Sequence, residues 1–272
     1  MGIEAYTKGL VKNNGIWYAE KKTAISYPDE GNDACYQIEE NSFWFRHRNN
    51  CIVELVKRFA PKDLFFDIGG GNGYVAKAIE KSGIETILVE PGERGCINAR
   101  TRQLKNIICS TLEDAGFEKE TIPAIGVFDV VEHFKDDIAL LKLMQTYLRK
   151  NGNLFITVPA HEILWSNEDD DAGHFNRYTI KSLTKKLNEV GFEIAWSTYI
   201  FSVLPLPIFL LRSLPSRLGM HKNSGDISKH SNEHKSKGSV LDKVWDWELN
   251  RIKEQKSIPF GGSCLVVARK IN

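Results

Sequence analysis

A chain of 272 residues with 42% hydrophobic side chains can bury one substantial core and a smaller appendage. A formal net charge of +1 leaves no electrostatic footprint for DNA or RNA, so a polyanionic partner is excluded as the starting expectation. Five cysteines without a C-x-x-C pair, an N-terminus without a basic and then apolar leader, and no run of bilayer length point to a reduced, cytoplasmic protein.

Residues 1–38 are mixed, with Pro28, Gly31 and several Asn and Asp, and read as irregular structure with short elements. Phe43, Cys51, Val53, Leu55 and Val56 then punctuate a basic surface, which predicts a helix from Glu39 to Phe59, stopped by Pro61. Short apolar runs predict strands near 64–68, 86–90, 106–109, 124–128 and 153–158. Helices fit near 73–82, 93–103, 136–149 and 179–190, the last capped by Thr179 and ended by Gly191. Alternating strands and helices argue for a parallel, doubly wound sheet. Strands at 192–199 and 263–270 would complete it, separated by an insertion over 200–260. The insertion opens with an apolar stretch, Ile200 to Leu214, interrupted by Pro205 and Pro207. Its middle, His221 to Gly238, has the composition of a disordered tract, and Val240 to Ile252 reads as an amphipathic helix bearing Trp245 and Trp247.

The chemistry concentrates at Asp67-Ile68-Gly69-Gly70-Gly71-Asn72-Gly73, a glycine-rich turn between the first strand and its helix. Such a turn lets a ligand approach the backbone beside unpaired helix N–H groups. Thr86 to Glu90 is a second strand that ends on a carboxylate, placed to hold the two hydroxyls of a ribose. Dinucleotide and S-adenosylmethionine (SAM) sites share that plan. The spacing Gly69-x-Gly71-x-Gly73 is not G-x-G-x-x-G, and Asp67 would repel a pyrophosphate while suiting an ammonium group, so the sign of the charge favours SAM.

Phe66 to Gly73, Val89-Glu90-Pro91, Phe128 to Phe134 and Leu148 to Pro159 resemble the successive motifs of class I SAM-dependent methyltransferases. The resemblance runs from about Phe43 to Gly191 and resumes at the last strand. It is nearest the small-molecule branch that includes the ubiquinone- and menaquinone-biosynthesis methyltransferases. It implies a Rossmann-like α/β fold: a doubly wound seven-stranded sheet with a C-terminal antiparallel hairpin, an N-terminal helical segment and an insertion before the last strand. The implied organisation is an extension and lid helix over 1–60 and a SAM-binding domain over 61–272, with 200–260 as a lid or substrate-binding segment.

The same resemblance implies cofactor contacts from Asp67, Gly69, Gly71, Asn72, Glu90, Pro91, Thr111, Leu112 and Asp129. Thr111 stands where family members often carry an aspartate beside the adenine. His133 and His174 are the candidate proton acceptors, because an imidazole titrates near neutral pH; the plainer reading of Glu132 and His133 is a cap and a pocket wall. After the fifth strand, Pro159 to Tyr178 forms a long polar loop, and Arg177 and Tyr178 are read as substrate contacts. Its consecutive Asp169, Asp170 and Asp171 are poorly arranged to converge on one cation. Phe45, in the run Phe43-Trp44-Phe45, lies where the family carries its lid; an aromatic there would attract a sulfonium or simply dock the helix. No metal is assigned: of His221, His230 and His234, only the last two share a helix face and no cysteine accompanies them.

The expected function is methyl transfer from SAM, with S-adenosylhomocysteine (SAH) as product, to a small-molecule or lipid- or sugar-linked substrate. Two alternatives are a SAM-fold binding or regulatory protein without turnover, and an NAD-dependent oxidoreductase, which the glycine spacing, Asp67 and the lack of a Tyr-x-x-x-Lys pair disfavour. The apolar segment 200–214 is read as a lid packed on the Trp245 helix, with peripheral membrane contact as its rival.

Overall fold

The computed structural model describes residues 3–20, 29–60, 62–220 and 240–271. The composition reading of His221 to Gly238 therefore falls outside the described residues, as do His221, His230 and His234.

The central element is a nine-stranded sheet. Its parallel core comprises β3 (Phe65–Ile68), β4 (Thr86–Glu90), β5 (Asn106–Cys109), β6 (Ile122–Phe128) and β7 (Leu148–Pro159). The last strands, β8 (Phe192–Ile200) and β9 (Ser263–Lys270), are antiparallel, and β9 inserts between β7 and β8. All seven predicted strands are present. Two more come from the region read as irregular: β1 (Leu10–Asn13) and β2 (Ile16–Ala19) form a hairpin, and β2 pairs parallel with β5. The spatial order β1-β2-β5-β4-β3-β6-β7-β9-β8 reverses direction between β3 and β6. Ligands of open α/β sheets bind at the carboxyl ends of the strands beside such a reversal.

Apolar residues cover both faces of the sheet. One face carries Ile122, Ile125, Leu141, Leu154, Leu183 and Val266; the other carries Phe65, Ile79, Phe155, Leu265 and the buried stripe Cys51, Ile52, Leu55 and Val56 of helix α2 (Phe43–Phe59). Helix α2 begins at Ser42, whose side chain accepts from Trp44 N–H, so the predicted helix from Glu39 divides in two. Glu39 instead ends α1 (Asp29–Glu39), which packs on α4 (Glu93–Thr101). Gly83 follows α3 (Tyr74–Lys81) and Gly191 follows α7 (Ile180–Glu189), each in the left-handed conformation that ends a helix cheaply. Between them in sequence lie α5 (Asp137–Tyr147) and the short α6 (Asn167–Asp171).

The insertion divides its loyalties. Helix α10 (Val240–Lys253) packs on α2, where Trp245 stacks on Phe43 and meets Phe201 edge-on. A buried glutamate secures that joint: Glu248 accepts from His47 Nε2 at 2.8 Å and from the N–H groups of Phe201 and Ser202. The broken helix α8 (Pro205–Ile208), a π turn (Phe209–Ser213) and α9 (Leu214–Arg217) rest instead on the loop after β7. Ser213 donates to Leu164 O, Ser216 bonds Asn167, and Arg212 pairs with Glu168. The apolar segment is thus docked mainly on that loop rather than on the Trp245 helix, and Leu206, Leu210, Leu211 and Leu218 stay exposed. No helix among the described residues is long and apolar enough to cross a membrane, and none of the five cysteines forms a disulfide.

Candidate active site

The carboxyl ends of β3, β4 and β6 meet around the glycine turn. Gly69, Gly71 and Gly73 all have positive φ, a conformation that side-chain-bearing residues adopt only at a cost. Gly70 is required for space: a Cβ there would lie 2.4 Å from Asp67 Oδ2 and 2.6 Å from Leu88 Cδ1. Glu90 reaches back across the turn, accepting from Gly71 N–H at 2.9 Å and Gly92 N–H at 2.7 Å, and the partly buried Pro91 follows it. Asn72 is buried in a side-chain network, donating to Glu39 Oε1 and accepting from Asn98 Nδ2 at 3.0 Å.

Two buried guanidinium groups organise this end of the sheet: Arg102 pairs with Glu39 at 2.8 Å, and Arg48 serves the other acids. Arg48, on α2, is 7% exposed and pairs with Asp129, which follows β6 in a left-handed conformation and also accepts from Thr157 Oγ1 at 3.1 Å. The Arg48 guanidinium lies over the Trp44 ring, 4.6 Å from its centroid, and within the field of Glu39, Asp67 and Glu132. With Glu39 held by Arg102, Arg48 is left with Asp129, Asp67 and Glu132, and one guanidinium cannot fully compensate three carboxyls in a low-dielectric pocket. Asp67 is fully buried and no side chain hydrogen-bonds its oxygens; burial pushes its carboxyl up to about 7 against the pull of Arg48 and of the Ala76 backbone N–H. Burial likewise raises Glu39 and pushes Glu132 up to about 8, while it lowers Arg48 itself to about 10. Burial therefore disfavours the charged forms of Asp67 and Glu132 in a place where water does not screen them.

A second cluster adjoins the first through Glu132. The His133 and His174 rings meet edge to face with centroids 4.8 Å apart. His174 Nδ1 lies 2.9 Å from Asp169 Oδ1, and Arg177 Nε donates to the same oxygen at 2.8 Å. Burial opposes ionisation of Asp169, yet the bonds from His174 and Arg177 outweigh it and hold its carboxyl below the usual range. Burial, then the neighbouring His174, lowers His133, which keeps it neutral at physiological pH. The three aspartates diverge: Asp169 is buried, Asp170 bonds Trp165 Nε1, and Asp171 faces solvent.

The other predicted residues stand in varied relation to these clusters. Tyr178 corrects the sequence reading: it is 2% exposed, donates to Asp137 Oδ2 at 2.8 Å and belongs to the core, with no surface left for a substrate. Arg177 spends its remaining donors partly on Ala160 O, so it braces the loop that carries His174. Phe45 meets Trp44 and Tyr74 edge-on. Thr111 caps its own turn by accepting from Asp114 N–H, and the Leu112 side chain is packed in the core. The sequence reading missed Arg48, Glu39 and the buried role of Asp169. For Arg48 a signal existed: it shares the 48, 52, 55 face of α2 with buried Ile52 and Leu55, and a cation on an apolar stripe asks for a partner.

The sequence matches the model of a methyltransferase domain over residues 44–195, more than half of the chain. No curated protein matches it significantly. Solved structures share its fold. Phosphoethanolamine N-methyltransferase 2 of Haemonchus contortus, in complex with SAM, is 19% identical with a TM-score of 0.56; the match covers 90% of this chain but only 58% of that one. A SAM-dependent methyltransferase of Archaeoglobus fulgidus is 17% identical (TM-score 0.51), covering 82% of this chain and 94% of the other. One from Thermotoga maritima is 15% identical (TM-score 0.55), covering 89% and 95%. With its motifs, strand order and domain match in agreement, this chain belongs to the methyltransferase domain family, whose cofactor is SAM.

Proposed function

We propose that the protein transfers a methyl group from SAM to a small-molecule or lipid- or sugar-linked acceptor, in the small-molecule branch near the ubiquinone- and menaquinone-biosynthesis methyltransferases. The observation that carries the cofactor assignment is the charge deficit at Asp67. SAM brings an ammonium and a sulfonium, and the fully buried Asp67 carboxyl, with no side-chain hydrogen-bond donor and Glu90 as its acidic neighbour, is a match for them. Asp67 and Asp129 would take the methionine amine, Arg48 its carboxylate and Glu90 the ribose, with Gly69 and Gly71 giving close backbone approach. When bound, SAM supplies an electrophilic methyl group, so the chain must align an acceptor and exclude water. His133 and His174, partly exposed at the edge of the site, face that acceptor, and burial keeps His133 neutral. The exposed Leu206, Leu210 and Leu211 lie on the segment braced against α6, the helix that positions His174, which supports a lipid-linked acceptor at a peripheral membrane contact.

The test is calorimetric titration of SAH into wild type and Glu90→Ala. Binding should weaken at least tenfold in the variant, about 1.4 kcal/mol for a lost charged acceptor. Absence of SAH binding to wild type would overturn the proposal, and NAD binding in its place would revive the oxidoreductase.

A further inference from the structure

Glu132, His133 and His174 each offer a ligand atom, the three atoms lying within 4.8 Å of one another. Two come from the turn after β6 and the third from the loop after β7, so the cluster spans the two segments that border the acceptor side. Those segments are stitched together by Phe175 N–H, which donates to Glu132 O at 2.7 Å.

Three observations distinguish the cluster from a chance meeting of polar side chains. Glu132 is 1% exposed, and its Oε2 has no hydrogen-bond partner. Burying a carboxylate oxygen in that condition is costly unless it takes up a proton or something positive completes it. Second, the Asp169 carboxylate holds His174 through Nδ1 at 2.9 Å and is itself held by Arg177. A carboxylate behind an imidazole is the arrangement that fixes tautomer and ring direction in metal sites. Third, His133 is positioned by hydrogen bonding to the Ala172 and Gly173 backbone, so both imidazoles are oriented from behind.

We propose that Glu132, His133 and His174 form a binding site for a first-row divalent cation, whose open coordination positions take oxygen atoms of the methyl acceptor. The donor set decides the metal class. Two imidazole nitrogens and one carboxylate oxygen suit Mn²⁺, Fe²⁺, Co²⁺ or Zn²⁺ better than Mg²⁺ or Ca²⁺. Donors about 2.0–2.2 Å from a shared ion stand roughly 3–3.5 Å apart, so occupancy draws the three groups together by about 1–2 Å, within reach of two partly exposed imidazoles. A cation there selects hydroxyl-bearing acceptors, favouring those with two neighbouring oxygens, and stabilises the ionised oxygen. His133 and His174 are then ligands rather than proton acceptors. The metal's role, though not its binding, rests on the methyltransferase reading.

The test is titration of cobalt(II) chloride into the full chain, stripped of metal with chelator, with and without SAH. Wild type should bind one equivalent and develop the visible absorption of nitrogen-ligated cobalt. Glu132→Gln and His174→Gln should each weaken binding at least tenfold, and His174→Gln should leave SAH affinity within about twofold. His174 is the more exposed of the two, so His174→Gln keeps the test decisive if Glu132→Gln fails to fold. A wild type that binds SAH but takes up no stoichiometric cobalt overturns the metal site alone, as does a His174→Gln variant that binds cobalt as tightly as wild type. Cobalt uptake lost in the variants, in a protein that does not bind SAH, supports the site and overturns the methyltransferase reading.

Discussion

Replacing Arg48 by methionine tests whether one guanidinium holds the charge balance of the site. The substitution keeps much of the apolar stem over Trp44 and removes the charge that faces Asp129, Glu39, Asp67 and Glu132. Breaking a buried ion pair by deleting one partner typically costs about 3–5 kcal/mol, because the surviving charge stays buried. At about 2–4 °C per kcal/mol for a chain of this size, the melting temperature should fall by about 6–20 °C. The loss has a sign in pH. Asp67 at about 7 and Glu132 at about 8 are raised above their unfolded values, so folding favours their neutral forms. The stability they contribute is full at low pH and is lost as pH rises through those values. Without Arg48 the ionised carboxylates lose their main counter-charge, with only Arg177 left to act on Glu132, so the deficit of the variant should be larger at pH 8 than at pH 6. Adding Asp129→Asn to Arg48→Met should restore part of the loss, since it removes the carboxylate left alone. Thermal denaturation followed by circular dichroism at both pH values reads all three proteins. A fall of less than 2 °C in Arg48→Met, equal at pH 6 and pH 8, would refute the reasoning.

The raised Asp67 carboxyl also predicts that cofactor binding is linked to proton release. At pH 6, titration of SAH in buffers of different ionisation enthalpy should show close to one proton released, falling to none above pH 8 and vanishing in Asp67→Asn; a wild type without buffer dependence at pH 6 would contradict it. The exposed leucines of α8 and the π turn predict association with lipid surfaces. Wild type should co-sediment with phosphatidylglycerol vesicles, and a variant with Leu206, Leu210 and Leu211 changed to serine should stay in the supernatant, whereas equal, negligible pelleting of both would remove the membrane contact.

The sequence by itself determined the order and type of the core elements, because those depend on local chemistry. Apolar runs four to eight residues long set the strands, Thr179 sets a helix start, and Gly83 and Gly191 set helix ends. The β1–β2 hairpin was legible too, though the sequence reading passed over it. Asn14-Gly15 between Leu10–Asn13 and Ile16–Ala19 is a strong two-residue hairpin signal, and both residues adopt positive φ. The acid ending β4 and the glycine turn after β3 were likewise readable, since strand, turn and helix are contiguous there.

Only the tertiary structure decided which charges share a pocket and which are dry. Glu39, Arg48, Asp67, Asp129 and Glu132 come from five places along 94 residues of chain, and no local pattern announces that they face one another. Glu132 and His133 meet His174 only because β6 and β7 are neighbours in the sheet. Tyr178 and Arg177 are adjacent in sequence, yet one is a core side chain and the other braces Asp169, because successive residues in extended chain point to opposite sides. Hydropathy assigns each residue a preference; desolvation and field strength arise from neighbours, and those exist only once the sheet has closed over them.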